Sequence, residues 1–134
     1  MKYTIYHIIY MQKEIITEIQ SVDLFIGLLK KNPGLVILKL VATWCGPCDI
    51  IKEDVYTFFK QSPPDVICCD IDVDKSSQLY SYLKNKRMVN GIPVLLCYVK
   101  GNESYIPDDS ITGARKKELH MFFDRCKQYL LDTK

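Results

Sequence analysis

The chain has no run of about 18 consecutive apolar residues, so no segment reads as a membrane span. It also lacks an excess of charge of one sign. Eighteen Lys and Arg stand against 16 Asp and Glu, for a formal net charge of +2. The basic stretch Lys84-Asn85-Lys86-Arg87 is too short for a nucleic-acid or membrane surface and reads as a solvated helix end. Neither nucleic acid nor membrane is therefore expected as a partner. Histidine is scarce: His7 and His120 are the only two, and neither lies at ligand spacing from a cysteine pair. A zinc site needs about four ligands, so no metal is expected. The N-terminus, MKYTIYHIIYMQK, lacks an A-x-A-like cleavage site, and its short apolar part is interrupted by His7 and several tyrosines. It is expected to remain in the mature protein.

What is present fits one globular domain. At 134 residues, with 48% hydrophobic and 25% charged side chains, the composition is ordinary and the length suffices for a real core. Six cysteines occur. Cys68, Cys69, Cys97 and Cys126 lie in apolar contexts (ICCDIDV, VLLCYV, FFDRCKQYL), where a free thiol behaves as a small buried hydrophobe. They are expected to be reduced, in a reducing, cytoplasmic setting.

Periodicity orders the chain. Residues 14–20, EIITEIQ, are β-branched and predict a strand. Ser21 is a cap for a helix in which Val22, Phe25, Leu28 and Leu29 share a face, and Asn32-Pro33-Gly34 stops it. LVILKLVA, residues 35–42, is the nearly continuous apolar run of a strand buried on both faces. Apolar residues at 51, 55, 58 and 59 predict a helix that ends at Ser62-Pro63-Pro64. A strand at DVICCDIDV, a helix at SSQLYSYLKNKR, strands at IPVLLCYV and SITG, and a helix over about 115–130 complete the order βαβαβαββα. Alternation of this kind predicts an α/β fold: a central, mainly parallel sheet with helices on both faces, and a last strand pair that forms an antiparallel hairpin.

Cys45 and Cys48 therefore stand between a central strand and the helix it feeds. Backbone N–H groups and the dipole at a helix N-terminus stabilise an anion, which lowers a thiol there below its ordinary value of about 8.5. The second thiol, one turn on, is placed to attack a mixed disulfide formed by the first. Gly46 is expected to let the turn form tightly, and Pro47 fixes φ at an early helical position.

Trp44-Cys45-Gly46-Pro47-Cys48 resembles the active-site motif of the thioredoxin family. Val89-Asn90-Gly91-Ile92-Pro93 resembles the segment that carries the family's cis-proline, and Gly113-Ala114 the glycine after the last strand that borders the substrate groove. The resemblance spans about residues 14–131. It implies a thioredoxin fold, with a mixed sheet flanked by helices on both faces, over residues 14–134. It implies a protein-disulfide reductase in which Cys45 attacks and Cys48 resolves. Trp44 would support the site, and the Ile92 backbone, Pro93 and Gly113 would receive an extended substrate segment. No cofactor is implied beyond the Cys45–Cys48 disulfide itself. The implied partners are disulfide-containing protein substrates and a thioredoxin-reductase-like electron donor.

Several positions depart from the family pattern. A buried Asp usually lies six residues before the first cysteine, where this chain has Lys39. The neighbouring strand often carries a Lys, where this chain has Asp70. A buried lone ammonium is costly, so a charge-exchanged Lys39–Asp70 pair is expected; the alternative is that Lys39 snorkels to water. While charged, Lys39 cannot accept a proton, but it favours a nearby thiolate. Asp49 replaces a Lys or Arg and is expected to alter which partners dock. Glu53 replaces a kinking proline and predicts a smoother helix. The helix around Leu79–Lys86 and the hairpin tip Asn102–Ser110 look long for the family. Residues 1–13, with Tyr3, Tyr6 and Tyr10, form an extension without a family counterpart: an added strand, a packed arm or a dimer contact. A disulfide oxidase or isomerase, and a thioredoxin-fold binding subunit with weak redox activity, remain alternative readings. Gly-Pro between the cysteines resembles the reductant side.

Overall fold

A computed structural model describes residues 13–134; the extension discussed above lies outside the described residues except for Lys13. Five strands and four helices follow one another as β1 (Ile15–Ile16), α1 (Val22–Lys30), β2 (Leu35–Val41), α2 (Gly46–Gln61), β3 (Val66–Asp72), α3 (Ser77–Asn85), β4 (Val94–Val99), β5 (Asp109–Thr112) and α4 (Lys116–Asp132). They form one mixed sheet in the order β1-β3-β2-β4-β5. β1 and β2 run parallel to β3, whereas β4 runs antiparallel to both β2 and β5.

The expected edge strand over 14–20 shrinks to two paired residues. β-branched residues declare strand propensity, but pairing needs a partner edge. Beyond Ile16 the chain leaves β3, and the buried Ile19 donates its N–H to Ser76 Oγ at 3.1 Å instead of to a ladder. Ser21 then caps α1 by accepting from Leu24 N–H, as expected.

The sheet separates two apolar layers. Phe25 and Leu29 of α1, with Leu79 and Leu83 of α3, pack on Val36, Leu38, Leu40, Ile71 and Tyr98. On the other face Ile51, Val55 and Phe59 of α2 join Phe122, Phe123 and Cys126 of α4 over Ile37, Cys68 and Cys97. Cys68 and Cys69 are therefore split between the two layers, as strand alternation requires. Phe58 stacks on Phe123 at 4.1 Å between ring centroids and ties α2 to α4. Buried Asn32 locks the entry to β2: its Nδ2 donates to Tyr98 C=O at 3.0 Å and its Oδ1 accepts from Gly34 N–H at 3.0 Å. Gly34 has to be small, since a Cβ there would meet Asp65 O and Leu130 Cδ1 at 2.7 Å.

β5 is an edge strand held by side chains. Asp109 accepts from Arg125 Nε at 2.7 Å, Arg125 Nη2 at 3.1 Å and Tyr129 Oη at 2.6 Å. Burial pushes the Asp109 carboxyl up, but these hydrogen bonds outweigh it and hold the group below the usual carboxylate range. A depressed carboxylate stabilises the fold at pH values above its unfolded value of about 3.9, and that contribution disappears as pH falls through the folded value. Asp109→Asn is expected to cost about 1–2 kcal/mol at pH 7 after allowance for the half-exposed Arg125. In urea titrations the gap to wild type should close below the usual carboxylate range. A gap that stays constant with pH would assign Asp109 no ionic role.

Candidate active site

β2 ends at Val41, and the chain turns at once into α2. Cys45 N–H closes that turn on Ala42 C=O at 3.2 Å, and Cys45 is the N-cap residue, with extended φ and ψ of −97° and 103°. Its Sγ accepts from Cys48 N–H at 3.3 Å, so an N-terminal amide of the helix points at this sulfur. Cys45 and Cys48 form a disulfide, with Cα atoms 5.4 Å apart. Both are nearly closed off in this state, at 6% and 5% exposed. Exposure therefore does not separate the two sulfurs; position on the helix does.

Pro47 occupies the first turn of α2, as expected. The reason anticipated for Gly46 fails. Gly46 is already helical, its φ lies outside the left-handed region, and a Cβ there would meet nothing within 4 Å. The tight turn belongs to Ala42–Cys45 and does not need a glycine at 46. α2 continues unbroken through Glu53 to Gln61.

Three further segments converge on the disulfide end of the sheet. Trp44 is 66% exposed and donates Nε1–H to Asp74 Oδ2 at 2.8 Å. The Ile92–Pro93 peptide bond is cis, Ile92 is half-buried and Pro93 is buried. Gly113, with φ +101° in the left-handed region, donates its N–H to Pro93 C=O at 2.8 Å. That bond joins the start of β4 to the end of β5, so the anchoring of β5 through Asp109 also positions Gly113.

Lys39 and Asp70 are cross-strand partners in the β2–β3 register, and Lys39 Nζ lies 3.6 Å from Asp70 Oδ1. Lys39 is 3% exposed, whereas the Asp70 side chain is 37% exposed. The lysine does not snorkel free; the carboxylate comes to it from the wetter side. Burial pushes the Lys39 ammonium below the ordinary lysine range, and the Asp70 charge partly restores it. An open cavity of about 290 Å³ lies behind the disulfide, with Lys39, Cys48, Asp49, Lys52, Asp70 and Asp72 in its wall. Asp74, Asp72 and Lys52 were not singled out from the sequence. No local signal points to Asp74, because an exposed indole N–H can donate to water and the two residues are 30 positions apart.

The arrangement, an N-cap sulfur bonded to a second sulfur one turn along the same helix, is that of a thiol–disulfide exchange centre. A family model described as Thioredoxin matches residues 16–125. The chain belongs to the thioredoxin family. Thioredoxin of Ophiophagus hannah is 32% identical over 96 residues, which are 72% of this chain and 80% of that protein. Thioredoxin-2 of Saccharomyces cerevisiae is 31% identical over 88 residues, or 66% and 80% of the two chains. Among solved structures, a thioredoxin variant from Halobacterium salinarum superposes with a TM-score of 0.65 at 24% identity, covering 87% of this chain and 91% of that one. Family and site together make this thioredoxin-family member a thiol–disulfide oxidoreductase that reduces protein disulfides.

The remaining four cysteines are unbridged and buried. Burial raises the Cys68 thiol, and the hydrogen bond with Cys97, followed by burial, raises Cys126. High thiol values and closed surroundings make poor nucleophiles. Native oxidised protein is expected to show no fast reaction with Ellman's reagent, and four thiols should appear on unfolding in guanidinium. Fast labelling of any of them in the native state would contradict the assignment of redox chemistry to Cys45 and Cys48 alone.

The Lys39–Asp70 pairing generates a separate expectation. Lys39→Asp alone sets two carboxylates side by side, one of them buried, and should destabilise the fold by about 3–5 kcal/mol. Adding Asp70→Lys should recover more than half of that loss. A urea double-mutant cycle reads the coupling; a coupling energy near zero would show that the two residues are not partners.

Proposed function

We propose that Cys45 is the attacking sulfur and Cys48 the resolving one. The observation that carries this reading is the Cys48 N–H aimed at the Cys45 Sγ at the N-terminus of α2. Reduced Cys45 attacks one sulfur of a substrate disulfide. A Cys45–substrate bond forms, the substrate S–S bond breaks, and the departing thiolate takes a proton from water. Cys48 gives its proton to water and, as thiolate, attacks Cys45 Sγ. The Cys45–Cys48 bond forms, the mixed disulfide breaks, and the second substrate sulfur leaves as a thiolate that takes a proton from water. Two electrons have passed from the protein dithiol to the substrate.

The groove for the substrate chain runs beside Trp44, Ile92–Pro93 and Gly113. The bare helical surface at Gly46, next to Cys45 in sequence, supports a close approach by that chain, since the space a Cβ would take there is open. A reductase-type electron donor returns Cys45–Cys48 to the dithiol, and the disulfide is the only redox group this cycle uses. The four unbridged thiols support a reducing, cytoplasmic setting. Among the described residues no helix is long and apolar enough to cross a membrane.

Insulin reduction with dithiothreitol as donor tests the assignment. Wild type should turn over; Cys45→Ser should fall to the rate of dithiothreitol alone. Pre-reduced Cys48→Ser, freed of dithiothreitol, should stop after one event, with insulin held on Cys45. Turnover that survives Cys45→Ser would overturn the reading.

A further inference from the structure

Lys39 is the one charged side chain among the buried residues described, and the exchange reaction as written leaves it without a task. Its surroundings change charge during the reaction. In the oxidised state the cavity wall presents a neutral disulfide sulfur at Cys48; in the reduced state it presents a thiol that ionises. The groups facing Lys39 are Cys48, Asp49 and Lys52 from α2 and Asp70 and Asp72 from β3, while β4 contributes the apolar Leu95 opposite it. Asp70, the nearest of these carboxylates in the strand register, is half-exposed, so water screens it more than it screens the buried ammonium. Lys52 opposes the Lys39 charge, and Asp49 supports it.

A cation in the wall of the same cavity as a sulfur that is uncharged when oxidised and anionic when reduced favours the reduced state. We propose that Lys39 is a positioning residue that biases the Cys45–Cys48 couple toward the dithiol by attracting the Cys48 thiolate, with Asp70 as the counter-charge that limits the bias. The inference rests on the exchange reaction proposed above. It gives the site a direction: the protein accepts electrons from its donor more readily, and is a milder reductant, than the same site without the lysine. A thiolate that forms at lower pH also lets resolution proceed at lower pH.

Equilibration with glutathione tests this. Two glutathione thiols reduce the Cys45–Cys48 disulfide, breaking the Sγ–Sγ bond and leaving glutathione disulfide, so the ratio of the two protein forms reads the couple directly. Lys39→Met is expected to lower the equilibrium constant for reduction about tenfold, which for a two-electron couple is about 30 mV toward more reducing. The thiolate absorbance titration of reduced Lys39→Met should shift to higher pH, and Lys39→Arg should stay close to wild type in both readouts. At a pH low enough that Lys39 keeps its proton without Asp70, Asp70→Asn should move the couple in the opposite direction, and it carries the test if Lys39→Met does not fold. Equal constants for wild type and both variants, or a shift of Lys39→Met and Asp70→Asn in the same direction, would overturn the proposal. The exchange reading fails differently: wild type itself would not turn over insulin.

Discussion

β2 has a hydrogen-bonded neighbour on each edge and a helix layer on each face, and the site depends on that enclosure. Such a strand cannot shift its register without turning its apolar set to the wrong face. Its C-terminal end is therefore a fixed point from which the Ala42–Cys45 turn and the first turn of α2 project. The pairing of β2 with β3 and β4 brings Asp70 on one side and the Pro93 segment on the other to the same end. The disulfide is consequently set by the most constrained strand of the molecule, although it lies on a turn.

Enclosure also makes Lys39 consequential. Two unit charges about 4 Å apart interact by about 4 kcal/mol at an effective dielectric of 20, against about 1 kcal/mol in bulk water. The desolvation of a buried ammonium is of a similar order or larger, so Lys39 is not present for stability. Its placement at the wall shared with Cys48 puts that cost where it acts on a reacting sulfur. Asp70, reaching in from the wetter side, offsets part of the cost without sealing the cavity.

The elements whose sequence pattern reports burial directly were legible. LVILKLV reads as a doubly buried strand because both of its faces are covered. α4 reads as a helix because Leu119, Phe122, Phe123, Cys126 and Leu130 all meet one layer. The adjacency of Cys68 and Cys69 already placed them on opposite faces. What failed depended on partners distant in sequence. The expected edge strand over 14–20 is too long because β-branched residues do not report that the chain turns away after Ile16, although β3 itself runs on to Asp72. Gly46 was given a conformational reason that the actual turn, one residue earlier, does not need. The Trp44–Asp74 bond and the tie from Asp109 to α4 join residues that local periodicity cannot relate. Lys39 stood out as a charge in an apolar run, and the family pattern already set it near a reacting thiol; the structure adds the cavity wall it shares with Cys48 and Asp70.

The central claim is that position at the N-terminus of α2 makes Cys45 the reactive sulfur, although both sulfurs are equally enclosed in the disulfide. Alkylation of the reduced protein with limiting iodoacetamide, followed by peptide mapping, tests it most directly. The account predicts that Cys45 is labelled first and nearly alone. Labelling that begins at Cys48, or that divides evenly between the two, would contradict it.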